Sequence, residues 1–161
     1  MINKIKENIF QLHFKEFGSN VYVLKLKSQN ILIDISSREA RREFLEDLTK
    51  LNIKPEEISI ILLTHSHWDH IGNLDLFKNA KVFSFENIEK LNIKGIKAIK
   101  TPGHTKDSLS FLYEDVLFSG DTLFHEGIGR TDFPESEPEK MQKSLNKLKK
   151  LKYEILLPGH D

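Results

Sequence analysis

The sequence predicts an α/β sandwich with sheets inside and helices outside. Three observations point there. Strand patterns outnumber helical ones, and the two are interspersed along the chain. The run Ile58 to Leu63 (ISIILL) is continuously apolar, as a strand buried on both faces is. With 161 residues, 39% of them hydrophobic, the chain is long enough to build a layered core without staples. No linker, short repeat or low-complexity tract divides it, so residues 1–161 are expected to form one domain.

The elements follow in order. Ile9 to His13 and Asn20 to Lys27 alternate apolar and polar side chains, as a half-buried hairpin does, with Gly18 and Ser19 as turn residues. Asn30 to Ile35 (NILIDI) reads as a third strand with Asp34 near its end. Ser36 or Ser37 supplies an N-cap for a helix reaching Leu51, with Ala40, Phe44, Leu45, Leu48 and Leu51 at helical spacing. Pro55 and the Glu pair behind it mark a loop before ISIILL, and THSHWDH (Thr64 to His70) follows that strand directly. A short helix is expected over Leu74 to Lys78, then strands over Lys81 to Ser84 and Ile96 to Thr101. Leu109 to Tyr113 and Val116 to Ser119 form a hairpin across Glu114-Asp115. Residues 125–138, rich in Gly, Pro and charge, read as a loop. Pro138 opens a helix with Met141, Leu145, Leu148 and Leu151 as its apolar stripe, and its lysines form a solvated face opposite. A last strand, Tyr153 to Leu157, leads into Pro158-Gly159-His160-Asp161.

Composition removes several function classes. Lys+Arg and Asp+Glu balance at 24 each, which argues against a nucleic-acid partner. The absence of cysteine excludes a disulfide scaffold, a thiolate zinc site and a cysteine nucleophile. No apolar run approaches the roughly 20 residues of a membrane span. The first residues carry charges with no apolar stretch behind them, so no signal peptide and no membrane partner are expected, and the default location is the cytoplasm.

The chemistry concentrates at strand ends. His65, His67, Asp69 and His70 lie immediately after a buried strand, and His104, Asp121 and His160 each sit at a strand end beside a glycine. A rigid sheet that delivers ligands from several strand ends to one rim preorganises a metal site. Imidazole and carboxylate without thiolate suit Zn, Fe or Mn. Seven such groups exceed what one four-coordinate zinc requires, and divided between two ions they leave positions open for water.

HSHWDH resembles the H-x-H-x-D-H motif of the metallo-β-lactamase superfamily, and PGHT, SGDTLF and PGH resemble its remaining metal motifs in the same order. The likeness spans the chain from about Asp34 to Asp161. It implies a four-layer αββα sandwich with the metal site at one edge of the two sheets. It also implies that His65, His67 and His104 hold a first divalent ion, that Asp69, His70 and His160 hold a second, and that Asp121 bridges both. Zinc is the expected metal, with Fe or Mn as alternatives. Two such ions would acidify a shared water and supply a nucleophile for a carbonyl carbon. The resemblance implies that Asp69 would orient that nucleophile or accept its proton. Asp34 resembles the aspartate of the family's LIDT-like segment and is expected to tie the metal loop to its strand.

GDTLFHEGIGRTDFPES resembles the loop after the bridging aspartate in glyoxalase II-like thioester hydrolases, such as hydroxyacylglutathione hydrolases, and in persulfide dioxygenases. Both act on small thiol derivatives. Arg130 matches the basic residue of that loop and is expected to fork onto a substrate carboxylate, unless Asp132 holds it in a structural pair. The alternative reading is a mononuclear Fe(II) persulfide dioxygenase with His65, His104 and Asp121 as ligands. Larger glyoxalase II-type enzymes continue into a glutathione-binding helical domain, whereas one residue follows His160 here, so the resemblance leaves glutathione recognition open and a smaller or different thioester is an alternative. Metal ligation is expected to order Leu157 to Asp161. A nuclease and a non-catalytic binding module fit less well, the first because of neutral charge and the second because of the intact ligand set. His13 and His125 read as ordinary surface or packing residues, and Trp68 as packing beneath the metal loop.

Overall fold

The alternating residues at the start of the chain build an antiparallel meander. In the computed structural model, which describes residues 1–161, it comprises β1 (Ile2–Lys6), β2 (Ile9–Leu12), β3 (Val21–Leu26) and β4 (Gln29–Ile33). Two parallel strands, β5 (Ile58–Leu62) and β6 (Lys81–Phe83), complete a six-stranded sheet ordered β1-β2-β3-β4-β5-β6. Parallel pairing needs a crossover, and α1 (Arg41–Lys50) supplies the one between β4 and β5. Ala40, Phe44 and Leu48, four residues apart, are fully buried and share one core with Leu12, Val23, Leu32 and Ile61 of the sheet. The alternate residues Ile9, Leu24, Ile31, Ile33 and Leu62 are just as buried, so the central strands are apolar on both faces, as ISIILL predicted.

Between β5 and β6 lies a single helical turn, α2 (Trp68–Ile71). The second sheet starts with β7 (Ile96–Lys100), β8 (Leu109–Tyr113) and β9 (Val116–Gly120), all antiparallel. A small hairpin of β10 (Leu123–Phe124) and β11 (Gly127–Ile128) follows. Then α3 (Pro138–Lys149) crosses over to β12 (Ile155–Pro158), which pairs in parallel with β9 to give the order β12-β9-β8-β7. Leu148 of α3 packs with Ile99 and Leu117, flanked by Leu112, Leu151 and Leu156. Two units result. Met1–Leu63 with His67–Phe83 carries the first sheet, and Thr64–Ser66 with Ser84–Asp161 carries the second. No helix is long and apolar enough to cross a membrane.

Four elements differ from expectation, each for a local reason. β1 is an edge strand whose Lys4 and Lys6 protect its open side, so it lacks the apolar alternation that marks a strand. α1 begins at Arg41 because Asp34 and Ser36 both take φ of 55°, which turns the chain sharply before any helix can start. Ser37 still caps the turn, its Oγ accepting the Ala40 N–H at 3.3 Å. Leu74–Leu76 is a 3₁₀ turn rather than a helix, anchored by Asn73, whose buried amide donates to the carbonyls of Ile35 and Ser37 at 2.8 and 2.6 Å. The loop expected over residues 125–138 contains the second strand of the β10–β11 hairpin, turned by Gly127 at φ 128°.

Candidate metal centre

HSHWDH divides its side chains between the two units, because the chain passes from one to the other between Ser66 and His67. In the unit of the second sheet, His65, His104, Asp121 and His160 come together. The loop of His65 is pinned to β8, since the Leu109 N–H donates to the Thr64 carbonyl at 2.7 Å. Asp121 is placed by Gly120, whose φ of 52° ends β9. A Cβ there would lie 2.7 Å from Cβ of Thr64. His104 follows the Pro102-Gly103 turn. Its Nδ1 donates to the Arg130 carbonyl at 2.7 Å, which leaves Nε2 with its lone pair directed elsewhere.

That lone pair faces a carboxylate. His104 Nε2 lies 3.5 Å and His160 Nε2 3.6 Å from the same Asp121 Oδ2. The rings of His65 and His104 meet edge to face with centroids 4.9 Å apart, and His65 offers a ring nitrogen within 4.8 Å of both His104 and Asp121 donor atoms. Ligand atoms around a tetrahedral ion with bonds of about 2.0–2.1 Å sit roughly 3.4 Å apart. The 3.5 and 3.6 Å separations from Asp121 Oδ2 match that spacing. With imidazole and carboxylate donors only, the cluster fits a divalent metal.

In the unit of the first sheet, His67 stands at the boundary of α2, and Asp69 and His70 lie inside the turn. His70 Nδ1 donates to Asp34 Oδ2 at 2.8 Å with both groups buried, so Asp34 ties the turn that carries His70 to the end of β4. His70 Nε2 then points to Asp69, 4.0 Å from its Oδ2. The backbone of the turn is strapped down: the Ser19 N–H donates to the Asp69 carbonyl at 3.0 Å and the Ile35 N–H to the His70 carbonyl at 2.9 Å. Every imidazole whose Nδ1 is engaged in this way presents Nε2, the arrangement that orients a metal-ligating histidine.

The remaining predicted residues divide. The Arg130 guanidinium forks onto Asp132 at 2.9 and 2.8 Å and lies 4.6 Å above the Phe133 ring, so the structural pair is formed. Hydrogen bonding between the two raises the Arg130 pKa and lowers that of Asp132. Trp68 does not pack beneath the loop. It is 57% exposed and tilts against Phe17, centroids 5.5 Å apart, because its place at the start of a one-turn helix turns it away from the buried side of Asp69 and His70. His13 is an ordinary packing residue, its Nδ1 3.1 Å from Asn20 Oδ1. His125 is exposed, but it lines a cavity of about 530 Å³ with Phe124, Glu126 and His160.

Two supporting features carried no signal in the motif reading. A chain of buried hydroxyls runs from Thr122 to Thr101 (3.1 Å) and on to Ser110 (3.1 Å), linking the segments that carry Asp121 and His104. Only Ser110, a hydroxyl inside the otherwise apolar β8, stands out from its strand's pattern. Gly129 is the other: a Cβ there would lie 1.8 Å from the Asp121 carbonyl oxygen and 3.0 Å from His104 Nδ1.

Residues 15–85 and 85–160 match the family model of the metallo-beta-lactamase superfamily. The chain belongs to this superfamily. It has the family's fold, two sheets with helices. The probable metallo-hydrolase MJ0296 of Methanocaldococcus jannaschii is 33% identical over 144 residues, covering 81% of this chain and 70% of that protein. The hydroxyacylglutathione hydrolase of Francisella tularensis subsp. novicida is 32% identical over 161 residues, which cover 87% of this chain and 62% of that one. Among solved structures, ETHE1 from Myxococcus xanthus superposes with a TM-score of 0.73 at 26% identity, covering 95% of this chain and 75% of the other. This superfamily member thus carries metal-binding His and Asp groups in a metallo-hydrolase framework.

Proposed function

We propose that the protein is a metal-dependent hydrolase, dinuclear with zinc, that cleaves a thioester such as a hydroxyacylglutathione. The observation that carries the reading is the cluster of His65, His104, Asp121 and His160, with two imidazole nitrogens facing one carboxylate oxygen. The likeness to a hydroxyacylglutathione hydrolase over 87% of the chain supports the substrate class. In this reading His67, Asp69 and His70 complete the ligand set, and residues 1–161 act as one catalytic domain. Divalent ions bound there supply Lewis-acid polarisation of the scissile carbonyl and acidify a water. The protein's own groups do the rest. Asp69, fixed through its carbonyl to Ser19, orients that water and takes its proton. Asp34 holds His70 in the tautomer that ligates. Arg130 keeps N–H groups that Asp132 does not use and offers them to a substrate carboxylate. A thiolate leaves with little need of a proton donor, since its pKa is about 8.5.

The experiment is metal analysis of anaerobically purified protein, followed by assay on S-lactoylglutathione. About two zinc per chain with thioester cleavage and no oxygen uptake supports the proposal. A well-metallated sample that leaves thioesters intact refutes the substrate class. The mononuclear Fe(II) persulfide dioxygenase is the second reading, favoured by one observation: its three ligands, His65, His104 and Asp121, all belong to one unit. Its signature is about one iron per chain with oxygen consumed on a glutathione persulfide.

A further inference from the structure

The segment that joins β4 to α1 bends twice in three residues. Asp34 and Ser36 both take φ of 55°, in the left-handed region. Neither is glycine, and such residues persist only where their surroundings over-determine them. The first restraints are backbone bonds to the turn of His70. The Ile35 N–H donates to the His70 carbonyl and the Gly72 N–H to the Ser36 carbonyl, both at 2.9 Å. The carbonyls of Ile35 and Ser37, each one residue beyond a bend, are both taken by one side chain. Asn73 is fully buried, and its Nδ2 donates to them at 2.8 and 2.6 Å. The amide is oriented from its other end: Oδ1 accepts from Arg41 Nε at 2.8 Å, so the two N–H groups face the carbonyls. Arg41 is held in turn, because its guanidinium also pairs with Asp75 Oδ1.

An apolar side chain of similar volume would fill the same space. The amide is required because two buried carbonyls at a bend need donors. A buried polar network with every member satisfied specifies one geometry. That geometry ends at the metal ligands, since Asp34, the first residue of the bent segment, accepts the His70 Nδ1–H at 2.8 Å. We propose that Asn73 is a positioning residue for the metal centre: it locks residues 34–37 in their bent form and so aims the Asp34 carboxylate at His70, which leaves Nε2 of that ring presented for ligation. Asn73 acts through Asp34 and His70 and touches no substrate. The inference rests on the reading of His70 as a metal ligand and is independent of the reaction performed there.

The test is a double-mutant cycle on zinc affinity, measured by competition with a chromophoric chelator, with Asn73→Ala, Asp34→Ala and the double variant. Asn73→Ala alone is expected to weaken zinc binding about tenfold. In the Asp34→Ala background the same change is expected to cost less than about twofold, because the group it acts through is gone. Where Asn73→Ala does not fold, Asn73→Asp takes its place in the cycle: it keeps the volume and the acceptor for Arg41 and removes both donors. Loss of stability does not imitate this pattern. Leu48→Ala, in the core of the same sheet, is expected to lower the melting temperature while leaving zinc affinity within about twofold of wild type. A second readout needs no metal. In stripped protein the buried His70 Nδ1–H is expected as a slowly exchanging imidazole signal in the proton NMR spectrum, present in wild type and in Leu48→Ala and lost in the Asn73 variant. Loss of that signal supports the positioning of His70 even if the wild type binds no zinc, an outcome that refutes the ligand reading alone. Additive losses across the cycle, or a His70 signal that the Asn73 variant retains, overturns the proposal.

Discussion

Asp34 carries two burdens at once. Its carboxylate accepts the buried His70 Nδ1–H at 2.8 Å, and its backbone sits at φ 55°, a conformation that L-residues adopt reluctantly but Asp and Asn tolerate best. Replacement by Asn keeps the backbone preference and an acceptor while removing the charge; replacement by Ala removes all three. The expected order of metal affinity is wild type, then Asp34→Asn, then Asp34→Ala, with the last about 10–100-fold weaker, as measured by competition with a chromophoric chelator. Equal affinity across the series would show that His70 needs no support. Gly129 makes a steric argument instead. It has only a hydrogen where a side chain would start, and a Cβ placed there would lie 1.8 Å from the Asp121 carbonyl oxygen, a clash that no rotamer relieves. Gly129→Ala should displace Asp121 and with it the shared carboxylate oxygen, lowering bound metal per chain at a stability cost of about 1–3 kcal/mol. Metal analysis beside a urea melt separates the two effects.

At the level of elements, local pattern was sufficient wherever one face of an element met one core. Ala40, Phe44 and Leu48 predicted the buried stripe of α1, and Met141 and Leu148 that of α3. ISIILL predicted β5 because a central strand needs apolar residues on both faces. All seven ligand-type residues were visible as strand-end histidines and aspartates, and four of them come together in one unit. What stayed hidden has long-range causes. The Leu74 segment fails as a helix because Asn73 is held by carbonyls nearly forty residues earlier in the chain. Trp68 is exposed because a one-turn helix points it outward, which composition cannot reveal. The hydroxyl chain through Thr122, Thr101 and Ser110 joins three strand ends distant in sequence. Thr122→Val should therefore act at a distance of one residue from Asp121. Leaving a buried hydroxyl partner unsatisfied costs about 1–3 kcal/mol, and a lowered metal affinity is expected with little change in the far-UV spectrum. Thr122→Ser, which restores the hydroxyl, should recover the affinity.

For the molecule as a whole, each unit owns a core: one around Phe44, Leu48 and Ile61, the other around Leu148, Leu117 and Ile99. Ligand-type residues occur in both. A metal that binds only the folded chain stabilises it by mass action, about 2.7 kcal/mol at a free concentration one hundred times its dissociation constant. For a chain of this size each kcal/mol moves the melting temperature about 2–4 °C, so chelation should lower it by roughly 5–11 °C and zinc should restore it. Calorimetry of loaded, stripped and refilled protein measures this directly, and an unchanged midpoint would show that the histidines hold no ion. Hydrogen exchange then tells where the stabilisation lies. β12 is paired with β9 along Ile155–Pro158, and the Gly159 N–H donates to the Gly120 carbonyl at 2.8 Å, so this strand carries its own protection before any metal arrives. The expected gain on loading is thus small at Leu156 and Leu157 and large at His160, the Thr64–His70 loop and the Gly103–His104 turn. A gain spread evenly over every strand would mean that metal stabilises the chain globally without being held by these residues.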